Sequence, residues 1–425
     1  MAAASRPIVI VTGANNGVGF GICRRLLFQL SQPRPSDANP LFESTTGLVS
    51  FDPNSVPASG PEYPCQGLTL IMACRNRQRA ETARTELLRL FEEDVKTREK
   101  QQGEAAHVEV FRKNLTVTIH SLDLASVHSV FEFSTLVSQN YPYVSHVFCN
   151  AGVANFDRIS WPLLFRQIVS DLLGALTNPR FNLQKPGILS EDGFGWVWQC
   201  NVFGHFILVR ALDTLFGTFE KVSHAPARVI WTSSLESRAD KYDSEDWQLA
   251  KTLFPYEGSK YQMDIIRAEL DRRALRSPSP TVRHFTFHPG VVSTSIDQVL
   301  LGPFLHKVKL LVFYMARFLG SPHHNITLWN GAAAGVHLAL VSLVFIPVLI
   351  SSSTSQIVKA SAVGQEITPV RFNSETDRRG NGRVGVSPVA GWAEHDDESE
   401  KLVNRCERLY QSLLTADGKS VFTAT

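Results

Sequence analysis

The sequence predicts an α/β protein with a doubly wound parallel sheet, and three observations carry the prediction. Short apolar runs alternate with helical patterns along most of the chain, the order of a parallel sheet covered on both faces. The first run, Ile8-Val-Ile-Val11, ends in a glycine-rich turn that opens a helix. Later runs end in polar residues able to bind ligands or move protons, where an open α/β sheet gathers its ligands.

The turn Thr12-Gly-Ala-Asn-Asn-Gly-Val-Gly19 leads into a helical pattern through Ile22, Leu26, Leu27 and Leu30. Residues 32–66 are rich in Pro, Ser, Gly and Asn and lack an apolar period, so an inserted loop is expected. Leu68–Cys74 reads as the second strand, residues 77–100 as a long charged helix, and Thr116–Leu122 as the third strand, ending at Asp123. A helix over 126–139 leads to strand Val144–Cys149; a helical region with an insertion is expected over 158–192. Trp196–Phe219 reads as one long helix, Arg228–Thr232 as a fifth strand, Tyr256–Ala274 as a helix and Val282–Phe287 as a sixth strand. One domain is expected: a dinucleotide-binding core over 6–295, then a lid, an apolar segment and a C-terminal helix over 296–425.

Composition narrows the function. The 425 residues are 44% hydrophobic and 19% charged, below the roughly 25% charge usual in soluble domains. That excludes a disordered tail and favours a large core or a membrane contact. A net charge of +2 is too small for a nucleic-acid partner bound through a basic field. The six cysteines form no C-x-x-C pair, and buried thiols in a reducing compartment are expected. Neither the lone pair His323-His324 nor any H-E-x-x-H pattern points to a metal site, so none is expected. No signal peptide is expected ahead of Ile8, so Asn114-Leu-Thr and Asn325-Ile-Thr read as chance matches to a glycosylation pattern.

In the first turn, Gly13, Gly17 and Gly19 allow a tight bend and let backbone amides approach a pyrophosphate at a helix N-terminus. The second strand ends in Cys74-Arg75-Asn76-Arg77, without the acid that would bind a ribose 2′-hydroxyl and repel a 2′-phosphate. Arg75 can grip that phosphate with its planar fork, which favours NADPH over NADH; the alternative is a solvated arginine opening the next helix. Tyr256-x-x-x-Lys260 places both side chains on one helical face. A cation near the phenol is expected to lower its pKa toward a useful acid–base range. Ser233-Ser234 follows the fifth strand, Asn150-Ala-Gly152 ends the fourth, Asn201 lies on the next helix, and His288-Pro-Gly290 ends the sixth. Any one of these occurs by chance; together, in order at strand ends, they make a site.

These motifs resemble those of the short-chain dehydrogenase/reductase family over residues 6 to about 295: Thr12–Gly19, Asp123-Leu124, Asn150-Ala-Gly152, Asn201, Ser234, Tyr256 with Lys260, and Pro289-Gly290. The resemblance implies a tyrosine acid/base (Tyr256), a lysine that binds the nicotinamide ribose (Lys260), a serine orienting the carbonyl (Ser234) and an asparagine supporting a proton relay (Asn201). It implies NADP(H) contacts from Gly13, Asn15, Gly17, Val18, Gly19, Arg75, Asp123, Asn150, Tyr256, Lys260, Val291 and Ser293. Ser234 rather than Ser233 follows from the family's usual order, although the interval from Ser234 to Tyr256 is longer than in the simplest members.

A narrower resemblance is to the fungal 3-ketosteroid reductases of sterol C4 demethylation in ergosterol biosynthesis. It rests on Thr177-Asn-Pro-Arg-Phe181, Leu183-Gln-Lys-Pro-Gly187, and Asp192-Gly-Phe-Gly195 running on to Cys200-Asn-Val-Phe-Gly-His205. It implies NADPH-dependent reduction of a 3-ketosterol to the 3β-alcohol. The alternatives are a reductase of retinoid or other lipid ketones on the same fold, and a scaffold subunit for other sterol-pathway enzymes.

Beyond Pro289-Gly290, Phe304, Leu305, Val308, Leu311, Val312, Met315, Phe318 and Leu319 form one helical stripe flanked by Lys307, Lys309 and Arg317. A lid that contacts an apolar substrate and a bilayer surface is expected, the alternative being a helix packed on the core. Residues 318–358 contain no Asp, Glu, Lys or Arg, and Ala332–Ile350 is borderline in length for a membrane span; His337, Ser342 and Pro347 count against a span, and the alternative is a buried helix of the fold. Attachment to the endoplasmic reticulum membrane or a lipid droplet is expected, with the catalytic core facing the cytosol.

Overall fold

The computed structural model describes residues 6–39, 63–102, 105–171, 174, 180–293, 295–353 and 369–416. Eight strands form the main sheet: β1 (Ile8–Thr12), β2 (Leu68–Cys74), β3 (Leu115–Ser121), β4 (His146–Cys149), β7 (Ala227–Thr232), β8 (Val282–His288), β9 (Val370–Thr376) and β10 (Gly382–Pro388). Their order is β10-β9-β8-β7-β4-β1-β2-β3. All neighbours run parallel except β9 and β10, which pair antiparallel. The order reverses between β1 and β4, and a crevice at that switch point is where such sheets bind ligands. A second, two-stranded sheet joins β5 (Phe156–Ile159) to β6 (Asn182–Gln184).

The central strands are buried along their whole length because both faces are covered. One core packs helix α4 (Val127–Asn140), Trp198, Phe203, Phe206, Tyr261 and the C-terminal residues Leu402, Val403 and Cys406 on one face. The other gathers α1 (Gly17–Leu30), α2 (Arg77–Gln102), α3 (Ala105–Lys113) and the helix Ala333–Leu340. All six cysteines are buried and unpaired, as expected. Asn325 is fully buried, so it is not a glycosylation acceptor in this fold.

The structure corrects two expectations, over 196–219 and 158–192, and adds detail to two others. Trp196–Phe219 is not one helix. It breaks into a turn at Trp196–Trp198, a π segment at Gln199–Phe203, and helices Gly204–Ala211 and Asp213–Ser223. Buried aromatics at Trp198, Phe203 and Phe206 hold the irregular segment in place. The helical region expected over 158–192 is instead β5, helix α5 (Trp161–Ser170) and β6; Thr177–Pro179 of the motif quoted there lies outside the described residues. The expected loop 32–66 contains a packed turn at Ser36–Ala38, whose Asp37 forms a buried ion pair with Arg25 at 2.5 Å; its residues 40–62 lie outside the described set.

The apolar segment takes the buried-helix alternative. Ala332–Ile350 breaks into a buried helix Ala333–Leu340, a turn and a helix Ile346–Ser353. The first packs so closely on β8 that a Cβ at Gly335 would meet the Phe287 ring at 2.8 Å. Arg228 of β7 donates from Nη1 to the carbonyls of Leu338 and Val341, both at 2.7 Å, and so closes the helix end. Among the described residues no single helix is long and apolar enough to cross a membrane; the bent pair Trp196–Ala211 and Asp213–Ser223, which passes by composition, is core.

Candidate active site

The switch point is built around Thr12, the last residue of β1. Its Oγ1 donates to the Phe148 carbonyl at 3.1 Å and accepts from the amides of Asn150 and Ala151, both at 2.9 Å. Asn150 Nδ2 donates to the Thr12 carbonyl at 2.9 Å, locking the ends of β1 and β4 together. Gly13 and Gly17 have φ of 66° and 55°, the left-handed region that glycine enters without strain. A Cβ on Gly19 would meet Gly13 O at 2.4 Å and Asn150 Nδ2 at 2.5 Å. Asn16 caps α1 by accepting from Gly17 N at 2.7 Å, and no acid lies in the first helical turn. A tight glycine cradle at a helix N-terminus without a competing carboxylate fits a dinucleotide pyrophosphate. Asn15 and Ala14 direct their backbone amides to the Cys74 thiol, and Val18 packs against the second core.

Arg75 lies just past β2, its side chain 68% exposed, with Nη1 3.9 Å from Asp123 Oδ2. An acid absent from the end of β2 is thus present past the end of the neighbouring strand β3. The pair is exposed enough that water screens it. Val291 and Ser293 continue past β8, where their amides donate to the carbonyls of His323 and Ile326.

The proton-transfer residues meet at the C-terminal ends of β4 and β7. Lys260 is buried; its Nζ donates to the Thr232 carbonyl at 2.8 Å and lies 5.7 Å from the Tyr256 ring centroid. Asn201 sits in the π segment. Its Oδ1 accepts from Val153 N at 2.7 Å, and its Nδ2 donates to Val153 O and to Ser259 Oγ, both at 2.9 Å. Ser259 Oγ in turn donates to the Tyr256 carbonyl at 2.7 Å. A Cβ on Gly152 would lie 3.2 Å from Asn201 Oδ1 and 3.6 Å from Lys260 Nζ, so the three share one pocket floor.

Burial pushes the Tyr256 phenol well above its ordinary pKa, the charges of Glu236 and Glu257 add to this, and a hydrogen bond with Ser234 partly offsets it. Burial also brings Lys260 down to about 8, while Asp264 and Cys200 oppose that fall. This reverses the expected lowering of the phenol. The ammonium lies over the ring face and spends a proton on Thr232, so desolvation prevails at the hydroxyl. A phenol that stays protonated is suited to donating a proton.

Several residues escape sequence reading. Gln184 of β6 accepts from Tyr256 N at 3.1 Å and donates to Glu257 Oε2 at 2.6 Å, tying the small sheet to the start of the Tyr256 helix. Phe156 of β5 lies 6.2 Å from the Tyr256 ring. His205 places Nδ1 2.9 Å from the Asn201 carbonyl and Nε2 2.9 Å from Thr12 Oγ1; burial brings its pKa down to about 4, so it bridges the two halves as a neutral ring. Its spacing of four from Asn201 is a legible signal, and Gln184 lies in the quoted Leu183-Gln-Lys-Pro-Gly187 motif, although neither shows its contact; Phe156 offers no signal, because only the fold brings it to Tyr256. Among the described residues no cluster of His, Cys, Asp and Glu is arranged to hold a metal ion.

No family model matches the chain. The 3-keto-steroid reductase of Schizosaccharomyces pombe is 30% identical over 407 residues, covering 96% of this chain and 97% of that protein. The chain belongs to the 3-keto-steroid reductase family. It is therefore an oxidoreductase. The 3-keto-steroid reductase of Aspergillus fumigatus is 28% identical over 79% of this chain and 73% of its own length. The rat 3-keto-steroid reductase/17-beta-hydroxysteroid dehydrogenase 7 is 27% identical over 78% and 81%. Among solved structures, an L-sorbose reductase from Gluconobacter frateurii with NADPH and L-sorbose aligns with a TM-score of 0.46 at 12% identity, over 80% of this chain and 92% of that one. The family assignment rests on the sequence relatives.

Proposed function

We propose that this reductase uses NADPH to reduce a 3-ketosterol to the 3β-hydroxysterol in sterol C4 demethylation. The observation that carries the reading is the convergence of Tyr256, Ser234, Lys260 and Asn201 beside the glycine cradle, in a chain similar over nearly its whole length to a 3-keto-steroid reductase. The dinucleotide supplies the hydride that reduces the ketone. The residues suited to hold it are Gly13, Asn15, Gly17, Val18, Gly19, Asp123, Asn150, Lys260, Val291 and Ser293, with Arg75 as the reader of the 2′-phosphate.

The Tyr256 hydroxyl, protonated at neutral pH, gives its proton to the developing alkoxide oxygen. Ser234 orients that oxygen from the loop after β7. Lys260 holds the Thr232 carbonyl beside the Tyr256 ring and is suited to bind the nicotinamide ribose. Asn201, through Ser259, fixes the backbone at Tyr256. The test is purified protein on a panel of 3-ketosterols with NADPH or NADH, followed by sterol product analysis. Formation of the 3β-alcohol with preference for NADPH is expected. Turnover of retinoid or other lipid ketones instead, or binding to other sterol-pathway enzymes without turnover, would replace this reading.

We further propose that the enzyme docks on the endoplasmic reticulum or lipid-droplet surface with its core in the cytosol. Supporting this, Val308, Leu311, Met315, Phe318 and Leu319 are exposed along one stripe of the helix Ser295–Phe318 and the residue after it. The side chains of Phe304 and Leu305, expected in the same stripe, lie outside the described residues. Helix α5 exposes Trp161, Phe165, Ile168 and Val169. Burying such area is worth roughly 25 cal/mol per Å2. Cosedimentation with liposomes tests it, and protein that stays wholly in the supernatant overturns it.

A further inference from the structure

A buried ion pair outside the motif set joins the two parts of the site. Asp264 is fully buried on the Tyr256 helix, one turn beyond Lys260 and two beyond Tyr256, so the three share a face. Its Oδ2 accepts from Ser237 Oγ at 2.6 Å and from Arg371 Nη1 at 3.3 Å. Arg371 lies on β9, its side chain 12% exposed, and the same Nη1 donates to the Ser234 carbonyl at 3.2 Å. The carboxylate thus holds one end of the loop after β7, while the guanidinium holds the residue proposed to orient the substrate oxygen. Both anchor on the helix that carries the proposed proton donor.

We infer that Asp264 and Arg371 are positioning residues for the reduction, clamping the Ser234 loop onto the Tyr256–Lys260 helix. This rests on the functional reading above. A buried charge pair is expensive to desolvate and adds little net stability over apolar residues of similar volume, so its presence calls for a role beyond holding the fold. Arg267, one turn further on, already ties the helix to the sheet by donating to Thr286 Oγ1 at 2.7 Å and to the Val370 carbonyl at 2.6 Å. The clamp adds the loop. Its carboxylate also opposes the desolvation of Lys260. The titratable groups coupled to Lys260 are Asp264, Cys200 and His205; those around Asp264 are Arg371, Arg267, Lys260 and Tyr261.

The test uses the full chain, with Asp264→Asn, Arg371→Lys and the doubly neutral Asp264→Asn/Arg371→Met. Loosening a reacting group by a fraction of an ångström is expected to lower kcat for a 3-ketosterol by about 10- to 100-fold, with KM and NADPH affinity little changed. Without the anion, the lysine loses its proton at lower pH, so the alkaline limb of kcat against pH moves down in Asp264→Asn. Arg371→Lys, which keeps the charge, recovers most of the rate. The double variant is no worse than Asp264→Asn, because the two act as one unit. Hydrogen exchange of residues 234–238, read without substrate, rises in Asp264→Asn and in the double variant. A folded Asp264→Asn with unchanged kcat, pH limb and loop exchange overturns the inference. If Asp264→Asn does not fold, the double variant decides by the same readouts. A wild-type enzyme inert toward sterols overturns the functional reading instead, and loop exchange then decides the clamp alone.

Discussion

Residues 6–295 and 296–425 contribute to the same sheet in different ways. In the first region the central strands are dense buried runs that end at motifs: Ile8–Thr12 at the glycine turn, His146–Cys149 at Asn150, Ala227–Thr232 at Ser233-Ser234. In the second, β9 reads Val-Arg-Phe-Asn-Ser-Glu-Thr, with apolar side chains only at Val370 and Phe372, and β10 carries two glycines and ends in proline. Yet β9 extends the parallel sheet from β8 and delivers Arg371 to the site. Central strands are specified by their own hydrophobicity. Strands like β9 and β10 take their conformation from the strand beside them and the helix above, and the glycines and terminal proline of β10 suit the edge of the sheet.

The largest expected effect lies in the motif region. Tyr256→Phe should lower reduction by the ~10²- to 10⁴-fold typical of a lost general acid, with NADPH binding retained by fluorescence titration. Normal turnover would remove Tyr256 from the mechanism and break the link between motif and chemistry.

In the other region, Phe372→Ala should cost about 3–5 kcal/mol of stability, because Phe372 is a large buried side chain of the second core. Chemical denaturation measures it. A loss under about 1 kcal/mol would mean that β9 is a loosely held appendage.

Arg75→Asp should weaken NADPH relative to NADH by roughly tenfold or more, the worth of a charged hydrogen bond. The ratio of kcat/KM for the two cofactors measures it. An unchanged ratio would make Arg75 a solvated arginine beside Asp123 and leave the phosphate to another group.

The smallest effect is global. Burial brings His205, His284 and His337 down to about 4 and His146 to about 3. These rings are neutral in the fold but take up protons below about 6.5 once unfolded, so they contribute stability above that pH which is lost as pH falls toward 4. Asp213, raised to about 6 by burial, and Asp94 and Glu257, also raised by burial, act in the opposite sense, but the lowered histidines, which include His120, His288, His323 and His324 as well, outnumber them. Tm should therefore fall between pH 7 and pH 5. A Tm that rose would mean that the buried rings are charged in the fold.

The sequence by itself determined the α/β class, the glycine cradle, and the order of Asn150, Asn201, Ser234, Tyr256 and Lys260 at strand ends. It could do so because these depend on local spacing: a strand, a turn and a helix are each coded within a few residues. Tertiary structure decided the rest. Ala332–Ile350 is uncharged in any context, and only its burial between the sheet and the Ser36–Ala38 turn, with Arg228 closing its first helix, makes it core. Trp196–Phe219 is helical in pattern, and packing of Trp198 against Phe203 accompanies the π segment that sets Asn201. The phenol of Tyr256 is raised rather than lowered because of desolvation, which no spacing encodes, reinforced by Glu236 and Glu257. Arg371 lies 137 residues from Ser234 along the chain and 3.2 Å from its carbonyl in space. Contacts that distant are set by how the strands pair, and no local pattern carries them.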